Sequence, residues 1–184
     1  MICYLVRHGK DDDTLRGGWS DAPLTAEGVS QIHRLARRII TDSTMGVGRI
    51  YSSDLPRARQ TADILSNALG LAVEERPEFR ETNNGVLAGM KNTVAAERYP
   101  GLYWSALAWD ERYPGGESPH EFFARIEKAW YGFKTMLGKL DCNAILVTHG
   151  GVITAVQCIE NGVQYTNKAN PYPIHHGEMV KIQL

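Results

Sequence analysis

The sequence predicts an α/β fold, a three-layer α/β/α sandwich with a mostly parallel central sheet, and three observations carry that expectation. Ile2-Cys3-Tyr4-Leu5-Val6 and Ala144-Ile145-Leu146-Val147 are continuous apolar runs, the pattern of strands covered on both faces. Amphipathic helical stripes lie between them. Each run gives way to polar residues and then glycine, Arg7-His8-Gly9 and Thr148-His149-Gly150, as expected where parallel strands stop at a ligand-binding edge.

The elements can be justified in chain order. After the first strand, Thr25 reads as a helix N-cap, and Val29, Ile32, Ala36 and Ile39 then recur at spacings of three and four. Gly48 to Ser53 is a weaker strand signal. Ser53 or Asp54 followed by Pro56 opens a second helix, with Ala58, Ala62, Leu65 and Leu69 on one face and Gly70 as its stop. A short strand is expected around Ala72 to Glu74. Ser118-Pro119-His120-Glu121 has the form of a capping box with proline at the first helical position. The stripe behind it runs Phe122, Ile126, Ala129, Phe133, Leu137 and Leu140. Gly151 to Asn161, stopped by Gly162, reads as a shorter buried helix, and Val180, Ile182 and Leu184 alternate as a last strand within Gly177 to Leu184. No repeat, low-complexity segment or linker interrupts the chain, so residues 1–184 are expected to form one domain. Within it, 90–116, with two Tyr-Pro pairs, Trp104 and Trp109, is expected to be a lid or substrate wall.

Composition removes several function classes. Of 184 residues, 20 are Lys or Arg and 21 are Asp or Glu, giving a formal charge of −1, and 43% are hydrophobic. A nucleic-acid binder would carry a basic excess, and a disordered acidic chain would lack the apolar content. No apolar run approaches the roughly 18 residues of a membrane span, and Met1 to Val6 is too short for a signal-peptide core. Cys3, Cys142 and Cys158 form no paired framework and sit in apolar surroundings, which predicts buried, reduced thiols in a cytoplasmic protein. Oligomeric state is not set by any of this.

The strand ends bring Arg7, His8, Arg57 and His149 to one edge, with glycines, Gly150 among them, allowing close backbone approach. Guanidinium groups match phosphate oxygens, and an adjacent neutral imidazole can attack phosphorus. This predicts phosphoryl transfer to a histidine, with the arginines meeting the developing charge and no metal or other cofactor required. A leaving alkoxide needs a proton, and Glu81, in a polar loop after the expected short strand, is the candidate acid. Lys10 and Arg16 are candidate secondary anion contacts. Asp11, Asp12 and Asp13 would repel a dianion unless they point away or pair with Lys10 and Arg16. His175-His176 is not expected to bind metal, because neighbours in an extended segment point to opposite sides. His33 reads as a solvent-edge residue, and Trp104, Trp109 and Trp130 as packing residues, the first two also candidates for the border of a substrate entrance.

Five ordered motifs carry a resemblance. Arg7-His8-Gly9, Gly18-Trp19-Ser20-Asp21-Ala22-Pro23-Leu24-Thr25, Ser52-Ser53-Asp54-Leu55-Pro56-Arg57-Ala58-Arg59, Pro114-Gly115-Gly116-Glu117-Ser118 and Val147-Thr148-His149-Gly150-Gly151 resemble the histidine phosphatase superfamily with its phosphoglycerate mutase-like fold. The resemblance implies that His8 is the phosphorylated nucleophile, that Arg7, Arg57 and His149 bind the phosphoryl group, and that Glu81 is the proton donor, without metal. The sequence departs from the family pattern at Asp11 and Asp13, where Ser or Thr and then Asn are usual, and at Leu87-Ala88, where an aromatic-acidic pair is common.

The expected function is hydrolysis of small-molecule phosphomonoesters, with no nucleic-acid or membrane partner. The alternatives are a phosphoglycerate mutase and a low-turnover phospholigand-binding regulatory protein. Mutases of the superfamily carry a longer insertion between the acid and the second histidine, whereas Glu81 and His149 are only 68 positions apart. Within the phosphatases, chain size and the Gly18-Trp19-Ser20-Asp21 segment are compatible with α-ribazole phosphatase-like or broad-specificity members.

Overall fold

A computed structural model describes residues 1–184 and places a five-stranded sheet at the centre of the molecule. In chain order the strands are β1 (Ile2–Arg7), β2 (Val47–Ser52), β3 (Val73–Glu75), β4 (Asn143–Thr148) and β5 (Met179–Gln183), arranged β3-β2-β4-β1-β5. The first four are mutually parallel, and β5 runs antiparallel along β1 at the edge. The register sets Arg7 against Thr148 and Ser52 against Val147, so β1, β2 and β4 end level with one another. Residues that leave these three ends therefore enter one shared space.

Alternation along the strands divides the core in two. Tyr4, Val6, Ile145 and Val147 face α1 (Ala26–Thr41) and α2 (Pro56–Leu69), meeting Ile32, Leu35, Ala36, Ala58, Ala62 and Leu65. Cys3, Leu5, Ala144 and Leu146 face α4 (Pro119–Leu137) and α5 (Gly150–Asn161), meeting Phe122, Ile126, Trp130, Val152 and Val156. This is the expected three-layer sandwich, and strands buried on both faces explain why their sequences show no polar alternation. Trp130 is a packing residue, and His33 lies exposed on α1.

Helix starts follow local chemistry, with one correction. Thr25 Oγ1 accepts from Gly28 N at 3.1 Å, and Ser118 and Glu121 complete a reciprocal capping box. For α2 the cap position is Leu55, with no side-chain cap, rather than Ser53 or Asp54. Both side chains are already engaged: Ser53 Oγ lies 2.9 Å from His149 Nε2, and Asp54 pairs with Arg80. Proline at the first helical position lacks one of the amides a cap would serve.

Residues 90–116 contain α3 (Asn92–Arg98), and their Ala95, Leu107 and Tyr113 form a small core with Leu87, which precedes the segment. Asn167 Nδ2 fastens this segment by donating to Trp104 O at 2.7 Å and Leu107 O at 3.0 Å. Cys3 and Cys158 are buried, and burial pushes both thiols up from their ordinary values. Cys142 departs from expectation: it lies half-buried just before β4 begins, where the chain has not yet entered the sheet. No helix is long and apolar enough to cross a membrane.

Candidate active site

The level ends of β1, β2 and β4 deliver the cationic cluster foreseen from the sequence. Arg7 and His8 leave β1, His149 leaves β4 and stands at the N-terminus of α5, and Arg57 lies in the first turn of α2. The loop carrying His8 is fixed by close backbone contact with α1, where a Cβ on Gly28 would sit 2.2 Å from Lys10 O, and by α2, where Thr61 Oγ1 accepts from Gly9 N at 3.1 Å. His8, Arg57 and His149 are almost wholly shielded from solvent.

The hydrogen bonds assign the tautomer of His8. Its Nδ1 lies 2.8 Å from Gly9 O, which can only accept, so Nδ1 carries the hydrogen. Nε2 consequently presents its lone pair, and Arg57 Nε donates to it at 3.2 Å. Burial first, then the Arg57 charge, holds His8 well below the usual imidazole range, and the same two causes act on His149. The two rings lie 5.1 Å apart. Arg57 is further held by Gly18 O at 2.7 Å and Ser20 O at 3.2 Å. Burial costs a guanidinium several kcal/mol, and these neutral acceptors, together with the Asp11 carboxylate 3.4 Å from Nε, compensate only in part. The recess therefore favours an anion.

Glu81 stands close enough to the recess for its charge to act on Arg7 and Arg57. Its Oε2 accepts from Gly151 N at 3.1 Å and its Oε1 from Thr82 N at 3.0 Å. Glu81 also borders a cleft of about 490 Å³ with Arg16, Asn84, Tyr103, Trp104 and Tyr113. A second hollow of about 300 Å³ shares Trp104, Ser105 and Gly151 with it. Trp104 thus lines both spaces, whereas Trp109 packs against His120 and Tyr165. Arg16 stands at the cleft with its guanidinium 4.4 Å over Tyr103, away from the His8 cluster. Lys10 turns outward to Glu27 at 2.9 Å. Gly150, the first residue of α5, lies against the Arg7 guanidinium, 3.4 Å from where its Cβ would be.

Residues 3–183 match the model of the family described as histidine phosphatase superfamily (branch 1). This chain belongs to that superfamily. Among curated relatives, the "Probable phosphoglycerate mutase GpmB" of Enterobacter sp. (strain 638) is 35% identical over 131 residues, 68% of this chain and 60% of that protein. The match to its Yersinia pestis (strain Pestoides F) namesake is 44% identical but covers 46% of this chain and 39% of that protein. The chain thus spans less than two thirds of the length of these relatives. Among solved structures, a mycobacterial glucosyl-3-phosphoglycerate phosphatase superposes with a TM-score of 0.78 at 26% identity, covering 99% of this chain and 89% of that one. The α-ribazole phosphatase of Shigella flexneri, at 24% identity, shares the fold with a TM-score of 0.83, covering 100% of this chain and 91% of that one.

The superfamily fold also assembles residues that the sequence did not reveal. His176, set aside above, enters the site: Arg7 NH2 donates to its Nε2 at 2.8 Å, and its ring lies 5.3 Å from that of His8. Alternation did separate the pair, leaving His175 exposed. What placed His176 inside is Gly177 N, which donates to the carbonyls of Arg7 and His8 at 3.1 Å each. The acidic triplet divides too. Asp12 and Asp13 face solvent, while Asp11 lies 3.4 Å from Arg57 and 3.6 Å from His176. His8, Asp11 and His176 bring potential metal-ligating atoms within 4.8 Å of one another. In this arrangement the lone pairs of both imidazoles already face guanidinium donors, whose charges oppose a cation.

Arg125 of α4 is a further residue that periodicity could not identify. It donates to Glu78 O at 2.9 Å, Arg80 O at 3.0 Å and Glu81 O at 3.0 Å, and pairs with Glu117 at 2.6 Å. Glu117 in turn accepts from Asn83 N at 2.7 Å. The Pro-Gly-Gly-Glu-Ser motif was visible in the sequence, but its purpose as an anchor for the Glu81 loop was not.

Proposed function

We propose that this protein hydrolyses phosphomonoesters of small molecules through a phosphohistidine on His8. The observation that carries the reading is the buried, neutral His8 whose Nε2 lone pair faces Arg57, at the level of three converging strand ends. In the first half-reaction that lone pair attacks phosphorus. The bond to the ester oxygen breaks, its electron pair leaves with that oxygen, and Glu81 supplies the proton. Water then attacks phosphorus, gives a proton to the Glu81 carboxylate, and the P–N bond returns its pair to Nε2. Ester and water thus become alcohol and phosphate.

Arg7, Arg57 and His149 hold the phosphoryl oxygens, and the amide of Gly150 lies beside them. If Ser53 donates to His149 Nε2, then Nδ1, which is buried and without a partner, carries a hydrogen aimed at a missing acceptor. A phosphoryl oxygen would supply that acceptor. The leaving group extends past Glu81 into the cleft, where Arg16, Tyr103, Trp104 and Tyr113 meet it. The arginines neutralise the charge that a metal would otherwise meet.

Mutase chemistry is the second reading, favoured by the name of the Enterobacter relative. It shares the first half-reaction and differs in returning the phosphoryl group to product. Purified protein incubated with a panel of phosphomonoesters in chelator should release phosphate, and His8→Ala should abolish the release. Interconversion of 2- and 3-phosphoglycerate without phosphate release would select the mutase reading. Tight phosphate binding with neither reaction would leave a binding protein.

A further inference from the structure

Attack by His8 Nε2 does not call for a carboxylate in the phosphoryl recess, yet Asp11 supplies one. Its two oxygens lie 3.4 Å from Arg57 Nε and 3.6 Å from His176 Nε2, within 4.8 Å of the ligating nitrogens of His8 and His176. The side chain is 15% exposed and does not hang from a loose loop. Asp11 forms a β-bridge with Leu24, and the residue before it is tied on both sides, Lys10 N donating to Gln31 Oε1 at 2.9 Å and Lys10 O accepting from Thr25 N at 2.9 Å. A phosphorus atom in attacking position, roughly 3–3.5 Å from Nε2, puts its oxygens in the shell this carboxylate occupies.

The charge around that shell can be read element by element. Arg7 and His8 face Asp11 from the end of β1, Arg57 from α2, and His176 from the segment before β5, while neighbouring Lys10 is turned to Glu27. His8, His149 and His176 are all held below the ordinary imidazole range, chiefly by burial, and so contribute no charge near neutrality. Glu81, whose charge also acts on Arg7 and Arg57, carries its proton when it serves as the acid, and Glu178, which acts on Arg7, lies exposed; two guanidinium charges then remain in the recess, opposed by the Asp11 carboxylate. The surplus matches a single negative charge.

We propose that Asp11 selects the protonation state of the substrate: the reactive complex holds one proton between the Asp11 carboxylate and the phosphoryl oxygens, so the site accepts a phosphomonoester as its monoanion. This rests on the hydrolase reading above. The step balances without a further reagent, since that proton arrives with the ester and leaves on the phosphate released. A dianionic phosphoryl group would set two like charges against each other in a shielded recess, which is unfavourable even beside the arginines.

The test is the pH dependence of kcat/KM for phenyl phosphate between pH 5 and 8. A phosphomonoester loses its second proton near pH 6, so in the native protein kcat/KM should fall about tenfold per unit above that value. Asp11→Asn and Asp11→Ser should each remove the fall, raising kcat/KM at pH 8 by about tenfold or more over the native protein while changing it little at pH 5. Thermal melts of both variants verify folding. Asp13→Asn, which alters an exposed carboxylate two residues away, should keep the native profile. A native profile that is flat or rises to pH 8, or an unchanged fall in both Asp11 variants, overturns the proposal while leaving hydrolysis intact. Absence of His8-dependent turnover at every pH overturns the hydrolase reading and this inference together.

Discussion

Glu81 shows how little freedom the site leaves a single residue. Backbone amides hold both its carboxyl oxygens, and a Cβ on Gly151 would stand 2.5 Å from Oε1. Gly151→Ala should therefore displace the carboxyl and lower kcat for alkyl phosphates by roughly 100-fold, the scale of a misplacement of about 1 Å, with little change in the melting temperature. Glu81→Gln should slow alkyl esters far more than nitrophenyl phosphate, whose leaving group needs no proton; equal slowing would remove Glu81 from the acid role. At this scale the sequence was informative where a residue follows a strand directly. His8 and His149 are of that kind, and Arg57 follows in the next turn. It was uninformative for His176, because the irregular segment 171–177 has no period and long-range hydrogen bonds bring it to the site, from Gly177 N to the carbonyls of Arg7 and His8 and from Arg7 to Ile174 O. Asp11 was legible as a charge but not as a direction.

Helices provide the rigidity that the loops lack, and α4 does so through one side chain. Arg125 ties the carbonyls of Glu78, Arg80 and Glu81 to Glu117, so the Glu81 loop is anchored to a helix that is itself packed on the sheet. Arg125→Ala should lower stability by about 2 kcal/mol, within the range for losing hydrogen bonds to a charged group, discounted for partial exposure. It should also reduce turnover through Glu81, an effect that calorimetry and kinetics on the same preparation would separate. By comparison, Ser118→Ala removes one half of the capping box and should cost about 1 kcal/mol with kcat unchanged. Caps such as Thr25 and Ser118 were readable because their bonding is local in sequence. The start of α2 was not, because Ser53 and Asp54 answer to His149 and Arg80, partners far along the chain.

For the whole molecule, the order β3-β2-β4-β1-β5 brings the beginning and the end of the chain to one edge, and near-neutral net charge conceals a buried cationic recess. Burying neutral imidazoles has a consequence for stability. His8, His149 and His176 have folded pKa values below the ordinary 6.5, so the unfolded chain binds more protons once the pH drops past that value. Their contribution is present above about pH 6.5 and is lost as pH falls toward their folded values; thermal melts at pH 7.5 and 5.5 should show a lower midpoint in acid, and an unchanged midpoint would contradict it. The layered fold was legible because apolar runs and helical stripes report burial directly, whereas the site depended on which strand ends lie side by side. The most direct test of the central claim is rapid quenching in alkali during turnover of a labelled phosphomonoester, followed by peptide mapping. The account predicts acid-labile, alkali-stable label on the peptide containing His8, absent from His8→Ala; label on another residue, or steady turnover by His8→Ala, would contradict it.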